Sequence, residues 1–277
     1  MITRFAPSPT GSLHLGHAYA AWVAWSEARA AGGQFLLRWE DIDPSRCRPE
    51  YEDGILDDLA WLGMHPDAAP LYQSTRLDAY STALERLADR GLTYPCFCTR
   101  KDIRLAGSAP HGPEGPIYPG RCRHLSAPER DARIAEGQAH ALRLDMARAM
   151  DLLPAPPLRW HDRHLGEQVA NPMAFGDVVL ARKETPTSYH LAVTIDDAFQ
   201  GITLVTRGED LKAATDIHRL LQALLKLNVP EWQHHRLICD EQGNRLATRD
   251  QACALRTLRA GGITPRDVWD QLGVAGT

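Results

Sequence analysis

The apolar pattern opens with a short run at residues 2–6, which predicts a strand, cut off by Pro7-Ser8-Pro9-Thr10-Gly11-Ser12. From Gly16 onward, Ala18 to Ala31 is rich in Ala, Trp, Glu and Arg and predicts a helix, with Gly32-Gly33 as its stop. Gln34 to Trp39 has the character of a buried strand and runs into Glu40-Asp41-Ile42-Asp43-Pro44. Strand, glycine-containing turn, helix and strand make the first half of a doubly wound α/β unit. Helical patterns follow at Pro49–Leu62 and Ser74–Arg90. Periodicity then fades over residues 94–125, and short strands are expected at Ala141–Leu144, Leu158–His161 and Asp177–Ala181 around a helix near Ala127–Glu136. Core-type strands are expected again at Tyr189–Ile195 and Gly201–Thr206, before a long helix from Leu211 to Leu227. A turn at Asp240–Asn244, a basic loop and helices near Ala252–Arg259 and Pro265–Leu272 end the chain.

Composition adds little to that picture except exclusions. The 277 residues are 44% hydrophobic and 24% charged, the balance of an ordinary globular protein with room for one large domain or two modest ones. Neither an apolar leader nor a membrane-length apolar run is present, so the expected compartment is the cytoplasm, with no membrane partner. With 31 Lys and Arg against 35 Asp and Glu, the net charge of −4 argues against indiscriminate nucleic-acid binding. It leaves room for a specific RNA met by local basic patches such as Arg100-Lys101, Arg121 to His124, and Arg245 with Arg249.

Three constellations carry chemistry. His14-Leu15-Gly16-His17 opens the first helix, whose N-terminal N–H groups and partial positive charge suit phosphate. Gly16 permits close approach of a ligand, and two imidazoles three residues apart can donate to a phosphoryl group as charge builds on it. The same spacing also fits a histidine pair on a metal, or a plain helix cap. The second constellation is the basic run Asn244-Arg245-Leu246-Ala247-Thr248-Arg249, which follows a glycine turn. The third is Cys96-Phe97-Cys98 with Cys122 in a Gly- and Pro-rich stretch, which reads as a structural zinc site with buried free thiols as the alternative. Cys47, Cys239 and Cys253 lack metal spacing.

Residues 4–11 (RFAPSPTG) followed by HLGH resemble the glutamyl branch of the class I aminoacyl-tRNA synthetases. The likeness extends to WEDIDP at 39–44, SYHLAVTIDD at 188–197 and VTRGEDL at 205–211, in the family's order. It implies an α/β fold: a Rossmann-like doubly wound parallel sheet with a zinc-containing α+β insertion and a short helical C-terminal region. The implied reaction is ATP-dependent activation of L-glutamate to glutamyl-adenylate, with Mg²⁺ on the phosphates. Glutamate has two carboxylates and an ammonium, and guanidinium forks match carboxylates. The resemblance assigns Arg4 to the side-chain carboxylate, Arg207 to the α-carboxylate, Glu40 to the ammonium and Tyr189 to the pocket wall. Phe5, Ala6, Pro7 and Ser8 would line the loop over the substrate, and His14, Gly16 and His17 would hold ATP. Asp41 and Asp43 are read either as site residues or as caps of the turn before Pro44.

The loop at 244–249 stands where the family carries its KMSKS segment, with Arg245 for the first lysine, Ala247 for the serine and Thr248 at the second lysine. Arg249 is the nearest substitute for that missing charge. The resemblance also makes Tyr118 the fourth zinc ligand beside Cys96, Cys98 and Cys122, with His111 and His124 as chemical competitors. The expected division is 1–93 and 187–235 for the two halves of the catalytic domain, 94–186 for the insertion, and 236–277 for the basic loop and terminal helices. The expected absence of an anticodon-binding domain, together with the cysteine insertion, resembles the glutamyl-queuosine tRNA(Asp) synthetase family. Its members place glutamate on the queuosine base of tRNA(Asp). The rival expectations are a paralogue that charges a tRNA 3′ end and a non-catalytic RNA- or amino-acid-binding module. The expected state is a monomer.

Overall fold

The computed structural model describes residues 1–105, 111–153, 157–239 and 254–276. The chain runs β1 (Ile2–Phe5), α1 (Leu15–Ala30), β2 (Gln34–Trp39), α2 (Pro49–Trp61), β3 (Leu71–Tyr72) and α3 (Leu77–Ala88). It continues through β4 (Thr93–Cys96), α4 (Arg100–Leu105), β5 (His111–Gly112), β6 (Gly115–Pro116), α5 (Ala127–Ala135), β7 (Ala141–Leu144) and α6 (Met146–Asp151). Then come β8 (Arg159–Asp162), β9 (Gly166–Val169), β10 (Val179–Ala181), α7 (Tyr189–Phe199) and β11 (Leu204–Gly208). The last elements are α8 (Ala214–Leu225), β12 (Glu231–His235), α9 (Leu255–Ala260) and α10 (Pro265–Leu272).

β2 pairs in parallel with both β1 and β3, and β11 pairs in parallel with β12. The two groups meet where the Thr203 amide donates to the Ile2 carbonyl at 2.9 Å, which sets β11 beside β1. The chain therefore winds outward in both directions from β1, a switch point of the kind whose carboxyl ends form a ligand crevice. Side-chain alternation along β2 sorts the two faces. Phe35, Leu37 and Trp39 pack with α1, α2 and α10, whereas Leu36 packs with the core formed by α3, α7 and α8.

α1 approaches the sheet closely because Ala18, Ala21, Ala24 and Ala28 form its buried face. That lets the Thr3 hydroxyl of β1 donate to the Ala24 carbonyl at 2.7 Å. Its stop is as expected: Gly32 takes a left-handed φ of 57°, which costs glycine nothing.

One expectation is overturned. Tyr189–Ile195, read as a strand, is the start of helix α7, capped by the Ser188 side chain accepting from the Leu191 amide. His190 through Thr194 are all buried, so no polar face marked a helical period. Two strands inside the expected insertion also pair outside it: Asp162 of β8 lies in register with Trp232 of β12, and β9 extends that sheet. β4, β7 and β10 form a separate antiparallel sheet that carries the cysteines. The turn at Asp240–Asn244 lies outside the described residues.

Candidate active site

A cavity of about 410 Å³ opens at the carboxyl ends of β1 and β11, a volume suited to a small ligand. It is lined by Arg4, Phe5, Ala6, Pro7, Ser8, His14, Gly16, His17, Glu40, Tyr189 and Arg207, so the structure brings together every expected glutamate- and ATP-binding residue among those described. Arg245, Thr248 and Arg249 lie outside the described residues.

On the nucleotide side, His14 is the N-cap of α1 and its Nδ1 accepts from the Gly16 amide at 3.1 Å. His17 Nδ1 accepts in turn from the His14 amide at 3.3 Å, and the rings stack with centroids 3.8 Å apart. Because both Nδ1 atoms accept, the proton of each neutral ring sits on Nε2. A Cβ at Gly16 would lie 3.0 Å from His14 Cε1, so any larger residue displaces that ring. The helix-cap reading of the pair is thus realised, and the cap leaves the rings in the tautomer that donates through Nε2. The cavity continues past His235, Arg236 and Ile238.

On the amino-acid side, Arg4 is fixed from behind. Its Nε donates to Asp197 Oδ1 at 2.9 Å, Nη2 to Asp197 Oδ2 at 3.5 Å and Nη1 to the Thr206 carbonyl at 3.1 Å. Three of the five N–H hydrogens are used this way, leaving one on each terminal nitrogen for a carboxylate met end-on. Asp197 also takes Arg38 at 2.7 Å, and Arg38 Nη2 stands 3.8 Å from Glu40 Oε1. Burial raises the Asp197 carboxyl, but Arg4 and Arg38 outweigh it and hold the group below its ordinary range. Glu40 goes the other way: burial, only partly opposed by Arg38 and Arg4, lifts it to about 7.

Arg207 is held still more tightly. Nε donates to His234 Nε2 at 3.3 Å, Nη1 to His218 Nδ1 at 3.1 Å and to the Tyr189 hydroxyl at 3.4 Å, and Nη2 to the Thr215 hydroxyl. His234 is oriented by Asp162, 2.7 Å from its Nδ1. Burial, then Arg207, depresses His234 to about 4 despite that carboxylate, so the ring is neutral. Burial and Arg207 likewise hold His218 well below the ordinary imidazole range.

Asp41 and Asp43 are bracing residues. Asp41 accepts from the Ser74 amide and hydroxyl at 2.9 and 2.5 Å, and Asp43 accepts from the Ser45 hydroxyl at 2.6 Å. The reading of the sequence missed Asp197, Arg38, His218 and His234 as site residues. Asp197 lay within the quoted SYHLAVTIDD stretch; the others carried no local signal.

In the insertion, the Sγ atoms of Cys96, Cys98 and Cys122 lie within 4.8 Å of one another. Among the described residues this is the one group of three or more metal-ligating side chains of His, Cys, Asp or Glu type. Cys98 and Cys122 are 3.6 Å apart, and the Tyr118 hydroxyl is 3.5 Å from Cys98 Sγ. A tetrahedron with zinc–sulfur bonds of about 2.3 Å has edges of roughly 3.8 Å, so the donor set fits. His124 is exposed on its short helix. Burial lifts the Cys98 thiol to about 11 and drives the Tyr118 phenol far up, whereas at Cys122 burial is outweighed by hydrogen bonds from Tyr118 and the Phe97 amide, which hold that thiol below its ordinary range. Cys47 and Cys239 lie apart from the cluster.

A histidine-capped helix at the switch point of a parallel α/β sheet suits a phosphate-bearing ligand, and sequence comparison shows the family. The chain belongs to the class I aminoacyl-tRNA synthetases, since the family described as tRNA synthetases class I (E and Q), catalytic domain, matches residues 1–276. It is 52% identical to the glutamyl-Q tRNA(Asp) synthetase of Rhodobacter capsulatus, across 99% of this chain and 100% of that one. The protein of the same name from Nitratidesulfovibrio vulgaris is 41% identical, across 98% and 85% of the two chains. A glutamate tRNA ligase from Elizabethkingia meningosepticum, solved in complex with its amino acid, superposes with a TM-score of 0.75 at 30% identity. That match takes in 90% of this chain and 52% of the ligase. No helix among the described residues is long and apolar enough to cross a membrane.

Proposed function

We propose that the protein activates L-glutamate with ATP and transfers it to the queuosine base of tRNA(Asp). The observation that carries this is the pair of cavity arginines, each braced from behind, in one cavity with Glu40 and the histidine-capped helix. The names of the full-length relatives support the RNA acceptor.

In the first step a carboxylate oxygen of glutamate attacks the α-phosphorus of ATP. The bond from that phosphorus to the bridging oxygen breaks, and pyrophosphate leaves. Arg4 would take the side-chain carboxylate end-on, Arg207 and the Tyr189 hydroxyl the α-carboxylate, and Glu40 the ammonium. Ala6, Pro7 and Ser8 would close over the substrate. Nε2–H groups of His14 and His17 would donate to phosphate oxygens, stabilising charge as it develops. Arg245, Thr248 and Arg249 are assigned to the triphosphate by the resemblance alone, and Mg²⁺ would arrive on the phosphates. In the second step a hydroxyl of the modified base attacks the acyl carbon and AMP leaves. Positioning and electrostatics supply the catalysis. Cys96, Cys98, Cys122 and Tyr118 would hold a structural zinc, giving up their protons to bind it as anions, and the ion would fix the insertion.

The test is transfer of labelled glutamate to tRNA(Asp) that contains or lacks queuosine, followed by cleavage and location of the label. Label confined to the anticodon fragment of the modified RNA is expected. Label at a 3′ end would support the tRNA-charging paralogue, and absence of both activation and transfer the binding module.

A further inference from the structure

Arg207 is the inner end of a hydrogen-bonded chain that runs from the cavity to the surface at Glu114. Its Nη1 faces His218 Nδ1 at 3.1 Å, His218 Nε2 lies 3.2 Å from His190 Nδ1, and His190 Nε2 lies 3.2 Å from Glu114 Oε1. The participants come from β11, α8, α7 and the turn between β5 and β6, elements scattered over more than a hundred residues of sequence.

The protons can be assigned from chemistry alone. A guanidinium has only donors, so His218 Nδ1 must accept and its hydrogen sits on Nε2. That hydrogen points to His190 Nδ1, which must also accept, leaving His190 Nε2–H to donate to the Glu114 carboxylate. Every donor has an acceptor, each imidazole is neutral, and the direction of the chain is fixed by its two ends. The rings have little room to turn: both are buried, Tyr189 lies 5.5 Å from each, and Phe175 stands edge-on to His190 at 6.4 Å. Only Glu114 reaches the surface, its side chain about half exposed.

We propose that Glu114, His190 and His218 form a strut that aims Arg207 into the cavity, making them positioning residues for the amino-acid α-carboxylate. This rests on the assignment of Arg207 to that carboxylate. The physical logic is preorganisation. A guanidinium already gripped on Nε by His234 and on Nη1 by His218 presents its remaining Nη2 hydrogen and the long 3.4 Å contact to Tyr189 toward the cavity. Losing the grip lets the arginine fall back among buried acceptors and weakens ground-state binding of the amino acid more than the chemical step. The strut also ties the hairpin formed by β5 and β6 to the substrate-binding strand, so the outer end can be altered without touching the cavity wall.

The test is glutamate-dependent ATP–pyrophosphate exchange on the full chain, reading kcat and the KM of each substrate, with Tm alongside. His218→Leu should raise the glutamate KM about tenfold, with kcat and the ATP KM changed by less than about twofold. His218→Gln should restore it, because the amide oxygen can accept from Arg207 while its N–H donates to His190. Glu114→Ala, at a half-exposed position that does not threaten folding, should raise the glutamate KM two- to threefold, on the order of a single weakened hydrogen bond, at unchanged Tm. A wild-type glutamate KM in Glu114→Ala, or a glutamine variant as impaired as the leucine one, overturns the strut. Arg207→Lys separates the two claims: an unchanged glutamate KM there rejects the assignment of Arg207 itself, whereas a raised KM with silent strut variants rejects only the strut.

Discussion

The cavity between β1 and β11 and the cysteine cluster of the insertion both bury polar groups, and they offset the cost of burial in opposite ways. In the cavity, charges are paired in advance. Asp197 is shared by Arg4 and Arg38, and His218, His234 and Thr215 surround Arg207. The protein thus supplies the binding geometry before any ligand arrives. In the cluster, three thiols and a phenol crowd together, burial suppresses the acidity of Cys98 and Tyr118, and a single cation would take the group as ligands. One site is finished by folding, whereas the other has a donor set that a zinc ion would complete. The first should therefore be sensitive to truncation of any one partner, and the second to chelation.

The largest effect expected is at Arg4. Arg4→Ala removes the group assigned to the substrate's side-chain carboxylate and leaves Asp197 with Arg38 alone, an expected loss of about 3 kcal/mol or roughly a hundredfold in kcat/KM for glutamate. Because Arg38 stays 2.7 Å from Asp197, the chain should still fold, with a lowered Tm measured by scanning calorimetry. An unchanged KM would remove Arg4 from the pocket. Next comes the metal. Protein as purified should carry about one zinc per chain by elemental analysis. Cys98→Ser or chelation should open amides of residues 93–98 and 118–125 to hydrogen exchange while glutamate-dependent exchange of pyrophosphate persists. Loss of both together would mean that the two sites are not separable.

A smaller, graded effect belongs to Glu40. Raised to about 7 by burial, it is partly protonated near neutrality, whereas the proposed role requires it ionised to pair with an ammonium. The glutamate KM should therefore fall about tenfold between pH 6 and pH 8, and Glu40→Gln should flatten that profile while raising KM throughout. For folding the sign is reversed. A carboxyl with a raised folded-state pKa contributes stability below its unfolded value near 4.5, and loses that contribution as pH rises through about 7. The smallest effect is at Asp43, whose bonds to Ser45 lie on an exposed turn. Asp43→Ala should leave both the denaturant midpoint and the glutamate KM nearly unmoved. A large KM effect there would move Asp43 into the site.

Much of the catalytic half is legible because its signals are local. The break after residue 6, the two histidines at the start of a helix, Gly32 and the strand at Gln34–Trp39 all sit in one contiguous stretch, and the structure keeps their limits nearly unchanged. The cysteine spacing is equally local. What the sequence conceals is whatever topology alone assembles. Asp162, His190, His218 and His234 are far apart along the chain and meet only because β8, β12, α7 and α8 converge on β11. α7 was misread for a related reason: buried on most sides and rich in β-branched residues, it has the composition of a core strand. Its cap at Ser188 was the one sign against that. The short strand β12 was passed over because Trp232-Gln233-His234-His235 has polar residues buried by partners elsewhere in the chain.

The proposed function sets glutamate beside ATP in one cavity. It is tested most directly by ATP–pyrophosphate exchange without RNA, with glutamate, glutamine and aspartate compared at equal concentration. Exchange with glutamate and neither of the others is the result expected, since an amide cannot satisfy Arg4 and a shorter acid cannot reach it from Arg207. Exchange supported equally by glutamine would contradict the account.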